Sequence, residues 1–345
     1  MVGPGEIARR ARGRVTHRLE SLPILALTVH TACNCRCVMC DIWKANADRR
    51  EISADDLDRH ADAIRALRVQ RVMLTGGEPL LHRNLWALCR RLQQLRIRVT
   101  LVTTGLLIET HAADIAAAVD TVVISLDGDR VAHDMIRRVR GGFDRIARGV
   151  MALHGQHPTP RMIARSVVQR GNFATLHETI AAAQRIGFAE ISFLAADLSS
   201  SAFNRPAPWT ADRIAEVTVA REDLVDLAAS IERAVSMAPA LFQHGFVAGG
   251  RNSLDRILQY YTALSGRGAF PDVQCNAPWV SAVLEADGNV RPCFFHPAYG
   301  SAAAGLEETL NSPNAIAFRQ SLGVEGNQVC QRCVCSLNLP LTSTV

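Results

Sequence analysis

Short β-branched runs alternate with amphipathic helical stretches along the first 200 residues, and this alternation constrains the fold more than any other feature. The predicted strands are rich in valine, isoleucine, leucine and threonine and lie at 24–30, 71–75, 99–103, 121–125, 162–169 and 190–196. Between them, one helix is expected to begin at a serine cap, Ser53, and another to end at Gly187. Such a pattern predicts repeated β-α units on a parallel sheet. Six units are too few for a complete barrel of eight, so an open partial barrel or a doubly wound sheet is expected.

The remaining segments differ in character from the β-α region. The arginine-rich N-terminal segment 1–21 is expected to be a solvated arm. Residues 201–265 are predicted to be a mainly helical bridge, and 266–345 to contain a hairpin that turns at 287–289, a helix near 314–322 and closing cysteines.

Composition excludes several classes of protein. The chain has 345 residues, of which 48% are hydrophobic, enough to fill a large core. No run approaches the roughly 20 apolar residues that span a bilayer, and the N-terminus lacks the apolar middle of a signal peptide. A net charge of +5 does not indicate nucleic-acid binding. We therefore expect a cytoplasmic globular protein without a membrane span.

Four cysteines lie within eight residues directly after the first predicted strand, in the sequence CNCRCVMC at 33–40. Disulfides are disfavoured in a reducing cytoplasm, and structural zinc usually takes four ligands from paired knuckles. A [4Fe–4S] cluster is normally held by four thiolates. The triad Cys33, Cys37 and Cys40 would leave one iron open to a ligand that is not protein.

The C-x3-C-x2-C spacing of these three cysteines resembles the signature of the radical SAM superfamily. The resemblance implies that their [4Fe–4S] cluster binds the amine and carboxylate of S-adenosylmethionine (SAM) through the open iron. It also implies cleavage of SAM to methionine and a 5′-deoxyadenosyl radical, which takes a hydrogen atom from a substrate. The family spacing implies that Cys35 is a spectator, with replacement of Cys33 or Cys37 as a ligand as the alternative. Met39 stands where the family commonly has an aromatic residue.

The segment Gly76-Gly77-Glu78-Pro79, after the second strand, is similar to the GGEP motif of that family. The resemblance implies that the two glycines let the backbone approach SAM closely and that Glu78 meets its ammonium group. Pro79 is expected to bias Glu78 away from helical backbone.

Further candidates follow the later strands. The resemblance implies that Ser125 and, less directly, Asp127 in the SLDG segment bind the ribose or carboxylate of SAM, while a capped turn is the alternative for Asp127. Arg137 is expected to brace the loop. Residues on or beyond the fifth strand that could face SAM or substrate are Arg165, Gln169 and Asn172. Because the carboxyl ends of parallel strands share one edge, all these motifs should lie together.

A second group of cysteines occupies the C-terminal region. Cys275 and Cys293 bracket the predicted hairpin, and Cys330, Cys333 and Cys335 follow near the end. Alone, this pattern also suits structural zinc. It resembles the twitch and SPASM extensions of the superfamily, which implies an auxiliary [4Fe–4S] cluster on Cys275, Cys293, Cys330 and Cys333. Cys335 is the alternative ligand or a spectator, and too few residues follow it for the longer SPASM pattern.

Together the resemblance implies an α/β fold, a partial (β/α)6 TIM-like barrel over 22–200 with a small cluster-binding domain at 266–345. The expected reaction is hydrogen abstraction from a small-molecule or peptide substrate, with net oxidation assisted by the auxiliary cluster. The expected partner is an external electron donor such as flavodoxin or ferredoxin. About 22 residues precede the first strand, fewer than a separate leader-peptide domain needs.

Two other interpretations remain open. The chain could be a non-catalytic iron–sulfur sensor, or a radical SAM enzyme with structural zinc at its C-terminus. Four aromatic residues in or near the bridge are expected in the core, with contact to the substrate as the alternative: Phe203, Trp209, Tyr260 and Tyr261.

Overall fold

The structure is a computed structural model that describes residues 2–205 and 207–345. Met1, within the expected N-terminal arm, and Pro206, within the expected bridge, lie outside the described residues.

Nine strands and sixteen α-helices are assigned among these residues. The strands are β1 Ile24–His30, β2 Arg71–Gly76, β3 Arg98–Thr103, β4 Thr121–Ser125, β5 Arg161–Val168, β6 Glu190–Ala195, β7 Ser281–Leu284, β8 Asn289–Arg291 and β9 Gly300–Ser301. The helices are α1 Pro4–Thr16, α2 Ala54–Arg59, α3 Ala61–Ala66, α4 Leu85–Gln94, α5 Ala112–Ala118, α6 Arg130–Arg137, α7 Gly142–His154, α8 Leu176–Ile186, α9 Ala211–Ala215, α10 Leu224–Met237, α11 Pro239–Gln243, α12 Gly250–Leu264, α13 Ala277–Val280, α14 Leu306–Leu310, α15 Pro313–Ser321 and α16 Gln328–Gln331.

One sheet contains all nine strands, in the order β6-β5-β4-β3-β2-β1-β7-β8-β9. Strands β1 to β6 are parallel, and each lies beside its predecessor. A doubly wound sheet needs a reversal of strand order, and these six strands have none. The sheet is therefore singly wound, as in an open barrel.

Burial alternates along the strands and identifies the open face of the sheet. In β5 the residues Ile163, Arg165 and Val167 are half-buried, whereas Met162, Ala164, Ser166 and Val168 are buried. Because alternate side chains point to opposite faces, the half-buried set marks the concave side and the buried set packs under the helices.

The C-terminal strands continue the barrel sheet instead of forming a separate one. Strand β7 pairs in parallel with β1, and the hairpin β7–β8 and then β9 extend the edge by antiparallel pairing. This arrangement covers the edge of β1, which would otherwise expose unpaired backbone groups. The turn lies at the expected place, since Asp287 caps it and Gly288 has φ +84°.

The N-terminal segment differs from the expected solvated arm. Most of it is helix α1, in which Arg10 is only 4% exposed and donates to the carbonyl oxygen of Ser343 at 2.7 Å. Arg14 donates to the carbonyl oxygen of Leu339 at 3.2 Å. These arginines fasten the end of the chain to α1.

The two tyrosines of the bridge belong to the core. Tyr260 and Tyr261 on α12 are 3% and 0% exposed. The hydroxyl of Tyr261 donates to the carbonyl of Val168 and accepts from the amide of Ala196, and Tyr260 donates to the carbonyl of Ala196. They fix the ends of β5 and β6. Within the described residues, no helix combines the length and apolar composition needed to cross a membrane.

Candidate active site

The first cysteine loop follows β1 and is held by backbone and side-chain hydrogen bonds. The amide of Val38 donates to the carbonyl of Ile136 at 3.0 Å, at the end of α6. The side chain of Asn46 accepts from the amide of Cys33 and donates to its carbonyl, both at 2.9 Å. The loop is therefore fixed at both flanks before any ligand binds.

The GGEP turn packs directly on this loop. The amides of Gly77 and Glu78 donate to the carbonyls of His30 and Ala32 at 2.8 and 2.9 Å. A Cβ on Gly76, at φ +127°, would lie 2.3 Å from the His30 oxygen, and one on Gly77 would lie 2.1 Å from the Ala32 oxygen. In the structure these glycines make room for the cysteine loop itself, and their close approach to SAM stays a prediction.

Glu78 is already hydrogen-bonded within the protein through its carboxylate. Its backbone is extended before Pro79, as expected, but its carboxylate is fully buried. One oxygen accepts from the amide of Leu80 at 3.0 Å and the hydroxyl of Thr103 at 2.7 Å, and the other accepts from the amide of Thr104 at 2.6 Å. The carboxylate therefore ties the GGEP turn to the end of β3, and its contact with the SAM ammonium stays a prediction.

Four thiols, not three, come together in the loop. Cys35 is 2% exposed, and its thiol is hydrogen-bonded to the sulfurs of Cys33 and Cys37. The hydrogen bond from Cys35, aided by the charge of Arg137, brings the pKa of Cys37 to about 6. The hydrogen bond from Cys35 also lowers the pKa of Cys33, whereas burial raises that of Cys40 to about 12. The spectator role of Cys35 stays a prediction.

A buried ion pair lies behind the loop. Asp127 is fully buried and accepts from Arg137 Nε at 2.5 Å, and its other oxygen accepts from the amide of Val167 at 2.8 Å. Arg137 Nη1 in turn donates to the sulfur of Cys37 at 3.6 Å. Both oxygens of Asp127 thus have protein donors, and its contact with SAM stays a prediction, whereas Arg137 contacts the loop through Cys37.

Ser125 and Arg165 are register partners on β4 and β5, and both are half-buried on the concave face. Arg165 Nε donates to the hydroxyl of Ser192 at 3.3 Å. Gln169 and Asn172 are 1% and 2% exposed, and Asn172 is hydrogen-bonded to the backbone of Asp127, Val167 and Gln169, so contact of either residue with SAM or substrate stays a prediction.

The start of the bridge is hydrogen-bonded to the cysteine loop and to Asp41 just after it. Sequence reasoning did not detect this contact. Trp209 Nε1 donates to the buried carboxylate of Asp41 at 2.8 Å, and Arg213 donates to the carbonyl of Val38. The ring of Phe203 packs edge-on against Phe295, with centroids 6.2 Å apart. The only sequence signal was a tryptophan among arginines in an otherwise irregular stretch.

The five C-terminal cysteines line one pocket of about 430 Å3 including its opening: Cys275, Cys293, Cys330, Cys333 and Cys335. Burial raises the pKa of Cys293 and brings that of Cys330 to about 11. His296, which sequence reasoning missed, also lines the pocket, with Nε2 at 3.3 Å from the Cys330 sulfur. Its position three residues after Cys293 was the available signal. Within 2–205 and 207–345, no three Cys, His, Asp or Glu side chains are arranged around a single ion-sized site.

Two family models match the chain. Residues 27–182 match the radical SAM superfamily model, and residues 275–334 match the SPASM model, described as an iron-sulfur cluster-binding domain. The first match begins within β1, includes the cysteine loop and ends within α8, and the second includes four of the five pocket cysteines.

Curated relatives are similar over part of the chain. A probable GTP 3′,8-cyclase of Methanopyrus kandleri is 35% identical over 136 residues, which is 39% of this chain and 44% of the relative. A probable GTP 3′,8-cyclase of Saccharolobus solfataricus is 30% identical over 174 residues, which is 49% of this chain and 56% of the relative. The chain spans about half the length of the curated relatives it matches.

Solved structures share the fold. SuiB of Streptococcus suis bound to S-adenosylmethionine has a TM-score of 0.63 at 15% identity, covering 96% of this chain and 76% of that one. Native anSMEcpe with bound AdoMet has a TM-score of 0.64 at 16% identity, and the match covers 90% of this chain and 86% of that one. The partial barrel with a small C-terminal domain is thereby confirmed. The cofactors implied by the two domains are SAM, its [4Fe–4S] cluster and auxiliary iron–sulfur. Residues 27–182 therefore form a radical SAM domain, and residues 275–334 form a C-terminal SPASM iron–sulfur cluster-binding domain.

Proposed function

We propose that the chain reductively cleaves SAM at the first cysteine loop and abstracts a hydrogen atom from a small-molecule or peptide substrate, with net oxidation. The observation that carries the proposal is the interlocking of the cysteine loop, the GGEP turn and the end of β3. The turn donates two backbone hydrogen bonds to the loop, and Glu78 accepts from the Thr104 amide at the end of β3. The concave face also carries the hydroxyl of Ser125 and the guanidinium of Arg165, which a sensor that needed only a cluster would not require.

The donor set of the loop suits a [4Fe–4S] cluster, which thiolates normally hold. We assign Cys33, Cys37 and Cys40 as its ligands on their spacing. Arg137 favours the thiolate form of Cys37, because its guanidinium lies 3.6 Å from the sulfur and is itself held by Asp127. When bound, the cluster and SAM together supply a 5′-deoxyadenosyl radical after one-electron reduction breaks a carbon–sulfur bond and releases methionine.

The residues proposed to bind SAM are those still open on the concave side. Ser125 and Arg165 lie side by side there, so a hydroxyl and a guanidinium can meet the ribose and carboxylate. The backbone of Gly76 and Gly77, both half-buried, borders the loop. Glu78 and Asp127 are assigned to hold the loops in place, because both carboxylates are already bonded to protein donors.

We assign the C-terminal pocket to one auxiliary [4Fe–4S] cluster on Cys275, Cys293, Cys330 and Cys333. Four protein thiolates would close this cluster to substrate, so its role would be to accept the electron that completes a two-electron oxidation. Structural zinc would suit the same thiols, and metal analysis of anaerobically prepared protein separates the two.

The proposed electron source is an external donor such as flavodoxin or ferredoxin. Four exposed basic residues lie within or shortly after the cysteine loop: Arg36, Lys44, Arg49 and Arg50. Among them, Lys44 and Arg50 pair with Asp41 and Asp48. Positive charge there favours the approach of an acidic donor protein. The name of the curated relatives makes GTP one substrate to assay, although the match covers under half of this chain.

Single cysteine variants test the ligand assignment. Replacing Cys33, Cys37 or Cys40 by alanine should lower bound iron by about four atoms per chain and abolish 5′-deoxyadenosine release. Cys35→Ala is the matched control, since it lies in the same loop, and it should retain both properties. Loss of SAM cleavage in Cys35→Ala with activity retained in Cys33→Ala would show that the ligands are assigned wrongly.

A further inference from the structure

His296 is held beside one wall of the cysteine-lined pocket by three separate contacts. It is 5% exposed, and its Nε2 lies 3.3 Å from the sulfur of Cys330. Its ring packs edge-on against Phe318 with centroids 5.0 Å apart, and its carbonyl accepts from Arg291 Nη1 at 3.2 Å. The ring orientation is therefore set by the fold and not by the sulfur alone.

The chemistry of a cluster-bound sulfur fixes the direction of this contact. A metal-bound thiolate carries no proton and can only accept a hydrogen bond. The nitrogen that faces it must therefore carry the hydrogen, which selects the Nε2–H form of the neutral ring. Hydrogen bonds to the sulfurs are among the factors that set the potential of iron–sulfur clusters, because they stabilise the more negative reduced state.

We propose that His296 is a positioning residue that donates its Nε2 hydrogen to the Cys330 sulfur and so raises the reduction potential of the auxiliary cluster. The inference rests on the proposed assignment of the pocket thiols to that cluster. This hydrogen bond would favour electron acceptance by the auxiliary cluster, because a higher reduction potential makes the cluster a better electron acceptor.

The test uses the 345-residue chain in which Cys33, Cys37 and Cys40 are alanine, so that only the auxiliary cluster contributes to the electron paramagnetic resonance signal. In this parent, His296→Leu removes the donor and His296→Gln retains an N–H group at a similar reach. Val329→Ala, in the same pocket wall, is the control for packing alone. Bound iron, melting temperature and midpoint potential are measured for each.

We expect about four irons in all four proteins. The midpoint of His296→Leu should shift to more negative potential, while His296→Gln and Val329→Ala should stay near the parent. An unchanged midpoint in His296→Leu with full iron overturns the inference and leaves the cluster assignment standing. Loss of iron without a fall in melting temperature also overturns it, by making His296 a ligand. If His296→Leu unfolds, His296→Gln decides: a parent-like midpoint supports the inference and a negative shift overturns it. A parent without iron overturns the cluster assignment itself.

Discussion

At the residue scale, the carboxylates of the barrel mouth are bonded to protein groups and not exposed. Glu78 accepts three hydrogen bonds and Asp127 pairs with Arg137, and both side chains are fully buried. A buried carboxylate is tolerated only when its oxygens are satisfied, so these two residues belong to the framework that shapes the site.

Glu78→Ala should therefore destabilise the protein. It would leave the donors on Leu80, Thr103 and Thr104 without their partner, and each unsatisfied buried donor costs roughly 1–3 kcal/mol. Glu78→Gln should be milder, because one oxygen still accepts from Leu80 and Thr103. Urea unfolding of the three proteins measures the effect. Unchanged stability of Glu78→Ala, combined with weaker SAM binding, would restore the direct contact expected from the motif.

The limits of sequence reasoning show clearly at this scale. GGEP was located correctly as a motif, but the direction in which a carboxylate faces depends on Thr103 and Thr104, which a different strand supplies. Likewise, the SLDG segment did not predict that Arg137, ten residues after Asp127, would form an ion pair with the Asp127 carboxylate. Short motifs predict position along a strand, whereas side-chain partners come from tertiary packing.

At the element scale, the GGEP turn and α6 hold the cysteine loop from two sides. The turn donates hydrogen bonds to the carbonyls of His30 and Ala32, just before the loop. At the end of α6, backbone carbonyls accept hydrogen bonds from the amides of Arg36 and Val38. The loop carries four cysteines without regular secondary structure of its own, so its shape depends on these neighbours.

Gly77→Ala tests the first of these contacts. The added Cβ would lie 2.1 Å from the Ala32 oxygen, so the loop must move, and we expect the iron of the first cluster to fall by about four atoms per chain. Gly323→Ala is the control, because its Cβ meets nothing within 4 Å. Full iron and normal SAM cleavage in Gly77→Ala would show that the turn does not set the loop.

Helix α6 also makes stability depend on pH. Burial, aided by the positive charge of Arg137, lowers the pKa of His133 to about 4, and its Nδ1 accepts from the amide of Asp127. Below its unfolded value of about 6.5 the unfolded chain binds a proton there, and the folded chain binds none until about pH 4. Stability from this group is therefore complete above pH 6.5 and is lost as the pH falls towards 4, by at most about 3 kcal/mol.

The variant His133→Asn keeps an acceptor near the Asp127 amide and does not titrate. Urea unfolding at pH 7 and pH 5 should show a smaller loss for His133→Asn than for the unsubstituted protein. An equal loss in the two proteins would assign the acid sensitivity to other groups.

At the scale of the whole molecule, β1 is the strand that joins the barrel to the C-terminal hairpin. The radical SAM cysteine loop follows it, β2 with the GGEP turn lies on one side, and β7 of the C-terminal hairpin lies on the other. The start of the bridge contacts both halves, through Trp209 at Asp41 and Phe203 at Phe295.

The six barrel strands could be predicted within about two residues, because buried parallel strands are continuous apolar runs with β-branched residues. The pairing of β7 with β1 could not, since it joins residues more than 250 positions apart and four residues carry little pattern. Arg10 was misplaced for a similar reason: its partners are carbonyls near the other end of the chain. Non-local backbone acceptors have no signature in sequence.

The most direct test of the account is iron content and 5′-deoxyadenosine release, measured together in the variant with Cys275, Cys293, Cys330 and Cys333 replaced by alanine. About four irons should be lost per chain, while some uncoupled 5′-deoxyadenosine is still released under strong reductant and product formation stops. A thermal melt must show that the barrel stays folded, because a bound cluster can stabilise a small domain and its loss can unfold that domain. Zinc in this pocket of anaerobically prepared protein, or normal product yield without the four thiols, would contradict the account.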